Sequence, residues 1–133
     1  MGQPAAKMGD TIVAVDMHIV MIPAAPAPPI PMLLPHPFNG IIDSGCSTDV
    51  MIMGMGAAVV GSEATNTPPH IPLGGPFQKP PSNRGKIIMG SVTVKINGKM
   101  AARMGDMANT CNDPADLPVG TVIGTAATVL IGG

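Results

Sequence analysis

Apolar and polar positions along this chain alternate over short distances and are broken too often for helix. No stretch of a dozen residues keeps a 3.6-residue apolar repeat, and Gly or Pro interrupts nearly every window, which disfavours helical conformations throughout. The pattern instead predicts short alternating strands at Asp49 to Met53, Val92 to Ile96 and Thr128 to Ile131, each running into a glycine turn. The clearest of these turns is Asn97-Gly98, the strongest short hairpin signal. A mostly β chain with few or no helices and long Pro/Gly-rich loops follows.

The strands belong to a repeat. Sliding residues 94–106 (VKINGKMAARMGD) onto residues 50–62 (VMIMGMGAAVVGS) overlays Val94, Ile96, Gly98, Ala101, Ala102 and Gly105 on Val50, Ile52, Gly54, Ala57, Ala58 and Gly61. A further copy is split across the ends: VLIGG at 129–133 overlays residues 94–98, and PAAKMGD at 4–10 overlays MAARMGD at 100–106. Read as a circle, the chain holds three units, and its termini are expected to meet. Each unit joins a strand, a glycine turn, an Ala-Ala pair small enough for close chain approach, and a Gly-Asp turn whose carboxylate can accept from nearby amides. Gly61-Ser62 takes the last place in the middle unit. Three such units, unable to bury a face alone, are expected to fold around one axis as a single domain over residues 1–133.

Composition narrows the function. With 17 Gly, 16 Pro, 12 Met, two Phe and no Trp or Tyr, the core must be thin and built from Val, Ile, Met and Ala. A net charge of -1 and a charged fraction of 11% argue against a general polyanion binder. Six of the seven basic residues fall between Lys79 and Arg103, but no aromatic residues are interleaved for base stacking, so a solvated face is expected rather than a nucleic-acid site. No secretory signal pattern is visible at the N-terminus, and cytoplasmic synthesis is the default. The uncharged stretch from Met17 to Ile42 carries Pro23, Pro26, Pro28, Pro29, Pro31, Pro35 and Pro37. These rule out an ordinary membrane helix and point to an ordered loop of polyproline character.

Candidate chemistry lies in the few His and Cys residues. The 52-residue offset that overlays Ala5 on Ala57 also overlays His18 on His70. The third unit carries Cys111 in the corresponding loop, and His36 stands near the end of the first loop. His18, His36, His70 and Cys111 could therefore meet at one end of the body. Three imidazoles and a thiolate suit a closed tetrahedral site for Zn, with Fe less well matched. Cys46 is read as a packing residue, and a Cys46 to Cys111 disulfide is not expected in a reducing compartment. No H-E-x-x-H or H-x-E…C-x-x-C pattern is present, so no enzyme is predicted. The alternative is a small zinc-dependent hydrolase acting on the cell envelope.

The segments PAAKMGD and INGKMAARMGD, with HPFNG, NTPPHIP, KPPSNRG and TCNDPADLPVG, closely resemble the PAAR-repeat proteins. These cap the spikes of contractile injection machines, including type VI secretion systems, extracellular injection systems and some phages. The resemblance implies a short cone whose base docks on a trimeric, β-helical, VgrG-like spike, with a metal near the apex held by His18, His36, His70 and Cys111. The departures are Lys7 in place of the motif's Arg, and Val59 and Ser62 where Arg103 and Asp106 stand.

A trimeric spike ends in three equivalent strand edges, open templates for pairing. The edges that would meet them are expected around Val50, Ile52, Val94, Ile96, Val129 and Ile131, with Met53, Met55 and Met100 as adaptable contacts. Implied partners are the spike, accompanying effector proteins and a transiently touched target membrane; the free protein is expected to be a monomer. Because Met1 and Gly133 fall in two halves of one unit, no effector domain is expected within the chain. Implied location is the cytoplasm before assembly and the tip of the injection apparatus afterwards.

Overall fold

The computed structural model describes residues 2–124 and 128–132. Gly133, the last residue of VLIGG in the split copy, lies outside that range. The described residues are entirely strand, turn and loop. In chain order the strands are β1 (Gln3–Pro4), β2 (Thr11–Ala24), β3 (Ala27–Ser44), β4 (Met51–Ile52), β5 (Met55–Gly56), β6 (Glu63–Asn66), β7 (Arg84–Ile87), β8 (Lys95–Ile96), β9 (Lys99–Met100), β10 (Met107–Thr110), β11 (Leu117–Ile123) and β12 (Leu130–Ile131).

Three small two-stranded pairs form the base. β4 pairs with β5, β8 with β9, and β12 from the C-terminus with β1 from the N-terminus, so the termini do meet and the circle closes. The predicted Asn97-Gly98 turn takes φ of +52° and +80°, and Met53-Gly54 in the middle unit takes +52° and +82°. Positive φ at both central residues is the hairpin turn that matches strand twist. The predicted strands shorten to two residues each, Met51–Ile52, Lys95–Ile96 and Leu130–Ile131, because only these find a ladder partner within the chain.

The Ala-Ala pairs explain how three units share one axis. Ala6 N–H donates to Ala102 C=O, Ala102 to Ala58 and Ala58 to Ala6, each at 3.0 Å. This closed ring of backbone bonds brings three chain segments together where no larger side chain fits, and all three alanines are fully buried. Beneath it, Ile52, Ile96 and Ile131 pack with Ala5, Ala57, Ala101 and Val59 into a base core. Full burial of each Ile contributes about 1.5–3 kcal/mol.

Each unit then turns upward at Gly9, Gly61 or Gly105, whose φ values of +95°, +100° and +91° need glycine. The turn is closed by a side chain: Asp10 Oδ2 accepts from Lys7 N–H at 3.0 Å and Asp106 Oδ2 from Arg103 N–H at 2.7 Å. In the middle unit Ser62 Oγ accepts from Val59 N–H at 3.0 Å, so Ser replaces Asp without loss of the bond. The cation and the carboxylate are lost together there: Lys7–Asp10 and Arg103–Asp106 are ion pairs at 3.0 Å, while Val59 and Ser62 carry no charge.

Above the turns, β10-β11-β2-β3-β6-β7 close into an antiparallel barrel, one hairpin from each unit. Its core holds the equivalent trio Ile42, Ile87 and Val122, together with Ile12, Ala64 and Ala108. Phe38 fills the top of the barrel, and a Cβ on Gly40 would stand 2.6 Å from its ring.

The segment 17–42 corrects the polyproline expectation, since it is strand. β2 and β3 pair continuously from Thr11↔Ile41 to Ile22↔Ile30, and the hairpin projects beyond the barrel, because β11 joins β2 only at Thr11–Val13 and β6 joins β3 only at Gly40–Ser44. Pro29, Pro31, Pro35 and Pro37 fall at alternate positions, so their missing N–H groups share the unpaired edge of β3, where strand proline is tolerated. Residues 74–78 cover the other flank, with Met21 N–H donating to Pro76 C=O at 2.8 Å and Gln78 N–H to Ile19 C=O at 2.9 Å. The molecule narrows from three strand pairs at the base to one hairpin at the apex.

Candidate metal centre

The inward face of the projecting hairpin sets the first residues of the site. Along β2, alternation turns Ile12, Asp16, His18 and Val20 inward; along β3 it turns in His36, Phe38, Gly40 and Ile42. Asp16 lies opposite His36 and His18 opposite Leu34 in the ladder. His18 and His36 thus stand on strands, not on loops as their sequence surroundings suggested. His70 comes from the connection between β6 and β7, where its N–H donates to Asn83 Oδ1 at 2.8 Å. Cys111 directly follows β10.

All four sequence-predicted residues converge. The His18 ring lies 4.8 Å from the His70 ring and 5.6 Å from the His36 ring between centroids, with His36 and His70 5.7 Å apart. Cys111 Sγ is 3.6 Å from His18 Nε2. Asp16, His18, His70 and Cys111 each bring a ligand atom within 4.8 Å of the others, so a buried Asp/His/His/Cys cluster is a candidate metal centre, with His36 beside it.

Sequence reasoning missed Asp16, which is fully buried. It precedes His18 by two residues and shares its face on a strand, a relation hidden when the segment is read as loop. Its Oδ2 accepts from His70 Nε2 at 2.8 Å and from the Cys111 thiol at 3.3 Å. Its Oδ1 accepts from the Thr110 hydroxyl and from Asn112 Nδ2, the latter at 3.4 Å.

The donor set fits a thiophilic divalent ion. Two buried ring atoms, His18 Nδ1 and His36 Nε2, have no hydrogen-bond partner, an expensive state inside a protein. His36 Nδ1 is engaged with Leu34 C=O at 2.9 Å, which fixes Nε2 as the lone-pair nitrogen. Asp113 Oδ2 is 3.5 Å from His18 Nδ1 and also accepts from Ile19 N–H at 2.9 Å. Burial, reinforced by the neighbouring His70, lowers the His18 pKa, so its imidazole is neutral and available as a ligand. Burial and then the Asp16 carboxylate push the Cys111 thiol up to about 12; a metal would have to displace its proton. Cys46 is unpaired and half-buried against the barrel core, and Cys111 is also free of disulfide.

At the opposite end, the six predicted partner-facing residues separate by face. Ile52, Ile96 and Ile131 turn into the base core. Val50 and Val129 are exposed, and Val94 is half-buried against the same core. The outward residues of the base hairpins include Met51, Met53, Met55 and Leu130, with Lys95 and Lys99 in the third unit.

A threefold pseudo-symmetric β protein, closed at its base and carrying one buried cluster of potential metal ligands among the described residues, is the class that fold and site define. The PAAR-motif family model matches residues 35–110 and again residues 77–133, a span of more than half the chain, and the chain belongs to that family. No curated protein matches it.

Proposed function

We propose that residues 1–133 act as one domain that caps the β-helical end of a trimeric VgrG-like spike, sharpening it for membrane penetration and serving as an attachment point for effectors. The observation that carries this reading is the backbone ring through Ala6, Ala58 and Ala102 with its three surrounding strand pairs. A single chain repeats the same strand-and-turn unit three times around one axis, and a threefold shaft offers three equivalent strand ends that such a base can meet together. The contacts fall on the edges at Val50, Val94 and Val129 and on the exposed Met51, Met53 and Leu130 side chains. Ile52, Ile96 and Ile131 support these edges from beneath.

The metal is zinc, held by His18, His36, His70 and Cys111, and its role is structural. Zinc would join a strand pair to two connections that otherwise share few backbone bonds. PAAR-motif proteins are generally structural, and the burial of His18, His36 and Cys111 favours a closed site over the open position a hydrolytic zinc needs. The tip is made in the cytoplasm and leaves with the spike.

Two measurements test the reading. A blunt trimeric spike should bind the protein while its separated chains do not; equal binding to both would overturn the cap. Cobalt substituted for zinc should give the spectrum of a four-coordinate site with three nitrogen ligands, one sulfur ligand and no exchangeable water, whereas an exchangeable water would favour the hydrolase.

A further inference from the structure

Asp16 is the buried group that the four-ligand reading leaves without a task. It is fully buried, and its Oδ2 touches both ligand candidates that lie off the β2–β3 hairpin, His70 at 2.8 Å and Cys111 at 3.3 Å. Thr110 and Asn112 hold its other oxygen. One carboxylate therefore ties together β2, the connection carrying His70 and the end of β10, one piece from each repeat unit.

Asp16 could complete the metal sphere itself in place of His36. Burial argues otherwise: that arrangement would leave His36 Nε2 enclosed with no partner, whereas a sphere of three imidazoles and one thiolate satisfies it and leaves Asp16 its bonds from His70, Thr110 and Asn112, with only the Cys111 thiol proton lost to the metal. Carboxylates behind metal-bound histidines fix ring orientation and raise ligand basicity.

We propose that Asp16 is a positioning residue of the metal centre and a determinant of its preference for a divalent over a monovalent ion. This rests on the zinc reading above. With Asp113 also near His18 and the Cys111 thiolate in the sphere, the cluster is strongly anionic. The Coulomb attraction between Asp16 and a bound cation scales with the cation's charge. Removing the Asp16 charge weakens a dication about twice as much, in logarithmic terms, as a monocation.

The test uses the full chain and its Asp16→Asn and Thr110→Val variants, with Zn²⁺ and Cu⁺ each titrated against a chromophoric competitor. Asp16→Asn should weaken zinc about 10- to 100-fold and Cu⁺ by about the square root of that factor. Thr110→Val keeps the charge and frees one carboxylate oxygen, so it should weaken both ions by a similar, smaller factor. It also keeps the proposal testable if Asp16→Asn does not fold. Zinc affinity within about twofold of wild type in both variants, against the larger loss expected for a carboxylate behind the ligands, would overturn the proposal. So would equal losses of the two ions in Asp16→Asn, or an Asp16 oxygen bonded directly to the metal by X-ray absorption. A wild-type chain that takes up no zinc would instead remove the metal reading on which it rests.

Discussion

The base and the apex of this molecule are built from the same three units under opposite rules. At the base, equivalence is kept closely: the alanine ring, the two-stranded pairs and the three positive-φ glycines recur, and Ser62 performs the hydrogen bond of Asp10 and Asp106. At the apex equivalence is abandoned. One unit extends a long hairpin, the second supplies the connection with His70, and the third contributes Cys111. Symmetry costs little where backbone does the bonding, because alanine and glycine leave room for identical contacts. A four-ligand site cannot be threefold, so the unequal segments must differ wherever the ligands gather.

Breaking the apex alone should have the largest effect. Cys111→Ala, or prolonged exposure of the wild type to a strong chelator, removes a metal contribution on the order of 10 kcal/mol in favourable cases. Calorimetry should show a lower-melting protein, and hydrogen exchange should show loss of protection in residues 67–83 with the Ala6, Ala58 and Ala102 amides still protected. An unchanged melting curve would remove the staple. Because burial and Asp16 hold the Cys111 thiol protonated with a pKa of about 12 while His18 is lowered, zinc uptake at neutral pH should release close to one proton. Zinc affinity should rise with pH through neutrality, and calorimetry in buffers of different ionisation enthalpy would detect that proton.

Breaking the base alone comes next. Ala102→Leu forces a branched side chain into the alanine ring and should cost about 3 kcal/mol, read from the denaturant midpoint, while zinc stoichiometry stays at one. Equal losses of metal and fold would mean that the two ends are not separable.

A smaller change sharpens the contrast among units. Ser62→Asp alone places a carboxylate at a fully buried position without its cation and should destabilise by about 1–3 kcal/mol. Adding Val59→Arg recreates the pair seen at Arg103–Asp106 and should recover most of that loss. A double variant no better than the single would show that the middle unit is closed to the motif's ion pair.

The two ends also differ in how legible they were. Gly98, Gly105 and the Ala-Ala pairs act locally, so their spacing revealed the turns, the repeat and the meeting of the termini. The offset linking His18 to His70 was equally visible. Strand pairing over 17–42 was not, because prolines argue against strands unless one knows which edge is free. Asp16 vanished with it, since its place beside His18 follows only from alternation along β2. The inward turn of the Ile trio was not legible either: a two-residue ladder exposes one residue and buries the next, and register decides which.

The most direct test of the central claim is the mass of the complex with a trimeric VgrG-like spike, measured by native mass spectrometry with metal content. One chain and one zinc per three spike chains is the predicted result. Three chains per trimer, or a stable complex with a single spike chain, would contradict it.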